Sequence, residues 1–240
     1  MASPSLQAHF PADDWPCLVD EFEREYMQNL CHFLGTEAAS PWHPQPNDVF
    51  AAFHLTSLDE VRVVIVGQDP YPEPWRATGL AFSVPSDLRP HPLSLRNIFH
   101  ELQTDLDHAG RHAPPMSGDL TRWARQGVLL LNRALTVRKG KPGSHRKNGW
   151  WARFTLATMK AVDAHRRPVV FLLWGKDAQS VADYVHVRHC VIRGAHPAYR
   201  GGQAPDPGEE FDSERHFFGG RYFSRANAFL RKHGRDAVDW

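Results

Sequence analysis

Residues 61–75 read VRVVIVGQDPYPEPW, and the chemistry of the chain changes abruptly at Gly67. Val63, Val64, Ile65 and Val66 form an unbroken apolar, β-branched run, the pattern of a strand covered on both faces. Gly67 ends the run, and Gln68, Asp69, Pro70 and Tyr71 follow as a polar, turn-rich cluster. Asp-Pro opens turns and glycine punctuates strand ends, so the cluster taken alone reads as a connection. Whether it does more depends on what the other strands deliver to the same place.

Three further apolar runs stand out: 128–131 (VLLL), 169–174 (VVFLLW) and 187–192 (VRHCVI). Helical patterns separate them. LSLRNIFHELQTDL (93–106) repeats apolar residues at 3–4 spacing with Ser94 placed to cap, and DLTRWARQG (119–127) ends in Gly127, a natural stop. WWARFTLATMKAVDAH (150–165) and DAQSVADYV (177–185) continue the series, with further helices expected over 13–34 and 223–234. Strands alternating with helices predict an α/β fold: a short, mainly parallel four-stranded sheet with helices on both faces, an α/β/α sandwich. No linker-like tract divides the chain before residue 200, so one domain is expected over 1–240, with a flexible tail at 1–12.

Each strand is followed by polar or special residues. Gln68, Asp69 and Tyr71 follow the first, Asn132 the second, Gly175 and Lys176 the third, and His196-Pro197 the fourth. In a parallel sheet these segments leave along one edge, outside the carboxyl ends, where open α/β sheets hold ligands. Four polar clusters on one rim point to a binding site rather than to four unrelated turns.

Composition narrows the chemistry. The 240 residues are 42% hydrophobic and 23% charged, as in ordinary globular proteins. A formal net charge of +1 gives no global polycationic signature, so contact with nucleic acid must be a local patch. Three cysteines, Cys17, Cys31 and Cys190, are too few for a disulfide framework and suggest a reducing compartment. No apolar run nears the ~18 residues of a membrane span and no signal-peptide core is present, so a cytoplasmic protein is expected. P-loop, dinucleotide-binding and H-E-x-x-H patterns are absent, as is the zinc-deaminase signature. The His108/His112 pair has helical spacing but no accompanying Glu, and it reads as surface. No metal or other cofactor is expected.

What remains on the rim is a carboxylate, side-chain amides, an imidazole, a Tyr and Phe82, which lies in GLAFSV (79–84). An amide presents donor and acceptor side by side and can pair with the edge of a base-like heterocycle. An aromatic ring stacks on such a base for ~1–3 kcal/mol. A carboxylate with an imidazole is a minimal pair for hydrolysis.

GQDPYP, GLAFSV, LSLRNIFHEL, GVLLLNRALTVR (127–138), SHRKNGW (144–150), FLLWG and the split HP…FFGGRYFSRAN resemble family 1 uracil-DNA glycosylases. The N-terminal PQPNDVFAAFHLTSLDEVRVVIV is similar to that family too. The resemblance runs from about Asp14 to the C-terminus. It implies hydrolysis of the N-glycosidic bond of deoxyuridine in single- and double-stranded DNA, after the base has been flipped from the stack. It also implies roles. Gln68 and Asn132 would read uracil, Phe82 would stack on it, and Tyr71 would exclude a C5 methyl. Asp69 would position the water and favour the cationic sugar, and neutral His196 would donate to the charge growing on uracil O2. Ser94, Lys176, Pro197, Tyr199 and Arg200 would contact DNA. A monomer is implied, as is a phage-encoded DNA-mimic inhibitor as a partner.

The chain departs from the family in four places. Pro72 stands where the family has His, Lys176 where it has Ser, and Leu93 where it has Pro. The fourth is the segment after His196-Pro197, AYRGGQAPDPGEEFDSERH (198–216), which is longer than the family loop and lacks its wedging Leu. Tyr199 or Arg200 would supply that bulk. Between 200 and 215, five acids (Asp206, Glu209, Glu210, Asp212, Glu214) stand against two bases (Arg200, Arg215). Such a loop would repel phosphates and weaken duplex binding, unless it is directed away from DNA.

Overall fold

The computed structural model describes residues 6–37, 41–106, 117–164, 167–198, 204–205 and 209–240. Among them the strands are β1 (Trp42–His43), β2 (Val63–Gly67), β3 (Val128–Asn132), β4 (Val137–Arg138), β5 (Val170–Trp174) and β6 (Cys190–Gly194). The α-helices are α1 (Glu25–Thr36), α2 (Ala51–Leu55), α3 (Leu93–Leu106), α4 (Thr121–Ala124), α5 (Trp150–Ala164), α6 (Lys176–Gln179) and α7 (Tyr222–Lys232).

The four apolar runs form one fully parallel sheet in the order β3-β2-β5-β6. Every residue of β2, β3 and β5 is buried, which is why these strands read as continuous apolar runs without alternation. Strand β6 lies at the edge and exposes Arg193. Helices flank the sheet: α1 packs on α5, α3 on α7, and α7 against β5 and β6. Strand β2 leads on to β3 on one side, while its neighbour β5 leads on to β6 on the other. The carboxyl ends of β2 and β5 therefore form the switch point at which open α/β sheets bind ligands.

Several boundaries differ from the sequence expectations. The helix expected over 13–34 is split into a 3-10 segment, Pro16–Glu23, and α1, with Arg24 extended between them. The 119–127 helix shrinks to α4, where the Asp119 carboxylate accepts from the Thr121 amide and hydroxyl at 2.9 and 2.6 Å. The 177–185 helix breaks into α6 and a 3-10 turn, Ala182–Tyr184. The strand expected from 187 begins at Cys190, and Val187 is exposed. Ser94 does not cap α3; it lies inside a helix that starts at Leu93, and the Arg96 amide bonds the Pro92 carbonyl. Residues 6–12 are not a loose tail. Leu6 and Phe10 are buried, and the Phe10 ring lies 5.1–5.9 Å from those of Phe22, Phe50, Phe53 and Phe154. Among the described residues no helix is long and apolar enough to cross a membrane.

Candidate active site

Register brings the polar strand ends together. Gly67 pairs with Asn132 across β2 and β3, and the backbone ties continue beyond the sheet. The Arg133 amide bonds the Gly67 carbonyl at 2.9 Å, and the Ala134 amide bonds the Gln68 carbonyl at 3.1 Å. A Cβ at position 67 would lie 2.2 Å from Asn132 Oδ1, so glycine there makes room for the asparagine side chain. On the other side of the switch point, Gly175 has φ +83°, and a Cβ on it would lie 2.9 Å from the His196 Cβ. Glycine supplies both the left-handed backbone and the close approach.

The cleft so formed has a volume of about 190 Å³ and is lined by Gln68, Asp69, Tyr71, Phe82, Ser94, Asn132 and His196, among others. That is below the ~300 Å³ at which drug-sized sites begin, and it suits a single heterocycle. Phe82 holds the left-handed φ of +64°, a conformation costly for a bulky residue and concentrated at functional sites. Its ring is 5.7 Å from that of Trp174 and 6.2 Å from that of His196.

The electrostatics follow from burial. Asp69 Oδ2 accepts the Gly143 amide at 2.6 Å. Burial pushes this carboxyl above its ordinary value, the Gly143 amide and Arg146 pull it back, and the charge of Asp177 pushes it up again. Burial pushes the Tyr71 phenol up to about 12, so it stays neutral; its hydroxyl meets Ser94 Oγ at 3.0 Å and the Phe82 carbonyl at 3.4 Å. Burial lowers His196, against the opposing pull of Asp177. Its Nδ1 accepts the Ala198 amide at 3.1 Å, so the neutral ring carries its proton on Nε2.

Of the expected DNA contacts, Ser94 lies in the cleft through its bond to Tyr71. Pro197 stands between His196 and Ala198, which line the cleft, and its carbonyl accepts from Asn97 of α3 at 2.5 Å. Lys176 opens α6 and, with His196 and Arg215, lines a neighbouring cleft of about 410 Å³. Tyr199 and Arg200 lie outside the described residues, as do His108 and His112. Sequence reasoning missed three groups. Gln68 Nε2 donates to Asp177 Oδ2 at 2.6 Å, and Asp177 Oδ1 pairs with Arg146 at 2.6 Å. The Gly143 amide is the third. Gly143 and Arg146 sit in or beside the SHRKNGW motif, and Asp177 directly follows Lys176.

The family model described as Uracil DNA glycosylase superfamily matches residues 53–231. The chain belongs to that superfamily. Among curated proteins, the uracil-DNA glycosylase of Geobacillus kaustophilus is 45% identical over 231 residues, covering 95% of this chain and 93% of its own. That of Bacillus subtilis is 42% identical over 228 residues, covering 94% of each. Among solved structures, mimivirus uracil-DNA glycosylase superposes with a TM-score of 0.85 at 24% identity, covering 100% of this chain and 90% of that one. Its Y322L variant, solved in complex with UGI, is 25% identical at the same TM-score and covers 100% and 92%. The superfamily match spans every candidate residue of the cleft, from Gln68 to His196.

Proposed function

We propose that this glycosylase releases uracil from DNA, hydrolysing the N-glycosidic bond of a flipped deoxyuridine and leaving an abasic site, the first step of base excision repair. The observation that carries the reading is the meeting, in one base-sized cleft, of a carboxylate, an imidazole with its proton on Nε2, an amide and an aromatic ring.

The bond breaks with its electron pair moving onto the base, so the base becomes anionic while the sugar becomes cationic. Asp69 orients the attacking water and its charge favours the sugar; His196 Nε2–H donates to uracil O2. Preorganised charges on both sides of the breaking bond stabilise both partners of the transition state. Asn132 bonds the O4 and N3 edge, Gln68 completes the recognition, and Phe82 stacks on the ring. Tyr71, braced by Ser94, occupies the volume that a C5 methyl needs, and a pocket with no spare volume discriminates against the larger base. Neither metal nor cofactor takes part, and no lyase step follows. The protein acts as a cytoplasmic monomer on single- and double-stranded DNA, with Lys176 and Pro197 toward the strand. UGI, the partner in the mimivirus Y322L complex, is a candidate partner here too.

A catalytically silent DNA binder is the weaker reading. Pro72 removes the family's imidazole, but the Pro72 carbonyl accepts from the Gly140 amide at 2.8 Å, so the loop that presents Gly143 to Asp69 stays anchored. The deciding experiment is uracil release from matched single- and double-stranded oligonucleotides in EDTA, with Asp69→Asn as control. Release that needs Asp69 and survives chelation is expected; binding of uracil-containing DNA without release would replace this reading with the silent binder.

A further inference from the structure

The loop that walls the base cleft has a second face. Pro72, Ala77 and Thr78 line the base cleft, while Pro74, Trp75, Ala77 and Thr78 line a neighbouring cleft of about 560 Å³. The two clefts meet at Ala77 and Thr78. The second has the volume of a small-molecule site.

Trp75 is 85% exposed, although tryptophan is among the residues most buried on average. Its backbone holds a left-handed φ of +67°, and the turn is clasped by the Arg76–Glu73 ion pair at 3.2 Å. The ring therefore stands in solvent on a shaped backbone at the mouth of the cleft. His43, Gln45 and Thr78 contribute polar side chains to the cleft wall. Lys139 adds a cation, and its amide is fixed to the Pro41 carbonyl at 2.9 Å. Asp48 also lines the cleft and can accept from an exocyclic amine.

We propose that this cleft binds the unpaired nucleotide adjoining the uracil in single-stranded DNA. Its base stacks on Trp75, an exocyclic amine reaches Asp48, and Lys139 faces its phosphate. The inference rests on the glycosylase reading, since the base cleft supplies the continuity, and it adds a strand preference to it. A base inside a duplex is already stacked and would have to be extruded to reach Trp75, so the site favours single strands. Stacking on an exposed aromatic is sequence-tolerant, so any base serves.

The test compares wild type, Trp75→Ala and Trp75→Phe on single- and double-stranded uracil substrates, with and without an abasic spacer at each neighbour of the uracil. For Trp75→Ala on single strands, KM is expected to rise roughly tenfold, the scale of one base–aromatic stack. Trp75→Phe should stay near wild type, kcat should hold in both, and the defect should vanish when the contacting neighbour is the spacer. A second readout needs no turnover: in Asp69→Asn protein, a uracil-containing single strand should shield tryptophan fluorescence from acrylamide, and the shielding should be lost with Trp75→Ala. Equal KM values on every strand together with unchanged quenching would overturn the inference while leaving wild-type uracil release to support the glycosylase. Shielding through Trp75 without uracil release would keep the nucleotide site and sink the glycosylase reading.

Discussion

Gly67 and Asn132 face each other in register across β2 and β3, and a single added methyl at Gly67 would lie 2.2 Å from the Asn132 Oδ1. The pocket's amide is thus positioned by the absence of a side chain on the neighbouring strand. Gly67→Ala should push the Asn132 side chain aside, because the second neighbour, the Ala81 Cβ at 3.0 Å, blocks relief in the other direction. Inhibition by free uracil should weaken about tenfold or more, the scale of a hydrogen bond lost in a buried site. A variant that binds uracil like wild type would show that Asn132 does not read the base.

Asp177 acts on the site from its edge. Its carboxylate holds the Gln68 amide and pairs with Arg146, and its charge raises both Asp69 and His196. Asp177→Asn keeps a hydrogen-bond acceptor for Gln68 but removes the charge. Asp69 should then ionise at lower pH, so the acidic limb of the kcat/KM profile should move toward acid. A profile that stays in place, with kcat/KM reduced uniformly, would leave Asp177 only the placing of Gln68.

These two relationships differ in how far the sequence announces them. The buried strands and the rim they share were legible because β-branched runs and the residues directly after them are local signals. Gln68, Asp69, Tyr71, Asn132 and His196 follow from that topology, whereas the site roles of Phe82 and Ser94 came from the family resemblance. The Gln68–Asp177 bond spans 109 positions and the Gly143–Asp69 bond spans 74, and neither has a periodic trace. Ser94 looked like a cap because serine before an apolar repeat usually is one. Its hydroxyl instead serves Tyr71, a tertiary demand that outweighs the local one. Leu6 and Phe10 looked like tail because short N-terminal segments declare no partner, yet Leu6 is buried in the core and Phe10 packs in the aromatic cluster that includes Phe154 of α5.

Tyr71 is held by Ser94 and the Phe82 carbonyl, so its ring is a fixed wall. Tyr71→Ala should admit thymine, and thymine release from ordinary oligonucleotides is the direct assay. Asp69→Asn should lose on the order of 10²–10³ in kcat, the scale of one preorganised electrostatic contact in a transition state. Because burial raises Asp69, wild-type activity should begin to fall at a pH above the ordinary aspartate range as the solution is acidified. Activity that holds down to ordinary aspartate pH would remove Asp69 as the ionised group.

The acidic segment near the cleft beside Lys176 should tune affinity. Glu210 and Glu214 are exposed, while Arg215 is engaged by Glu209 at 2.9 Å, so the segment's described cation is already neutralised. Glu210→Gln with Glu214→Gln should lower KM for duplex DNA at low salt, with the gain fading as ionic strength rises. An unchanged KM and salt slope would direct this loop away from the DNA.

The anchor of the Gly143 loop makes stability and catalysis respond together to acid. Glu37 receives Arg138 through two hydrogen bonds, one of 2.5 Å from Nε, and lies 3.7 Å from His145 Nε2. His145 Nδ1 meets Thr136 Oγ1 at 2.8 Å, and Trp151 donates to the same hydroxyl at 2.7 Å. The Arg138 hydrogen bond holds Glu37 below its ordinary value of 4.5; its contribution is present above that value and is lost as pH falls through the folded-state pKa. Burial holds His145 below 6.5; its neutral ring favours folding above that value, and the contribution falls away as acid protonates it. Both signs agree, so the fold should weaken on the acid side. Glu37→Gln should lower the melting temperature at neutral pH and flatten its acid dependence. The same change loosens the Gly143 amide on Asp69, and losing that donor raises Asp69 further. The acidic limb of uracil release should therefore shift upward in Glu37→Gln, opposite to its shift in Asp177→Asn. A limb that does not move while stability falls would separate the anchor from the active site.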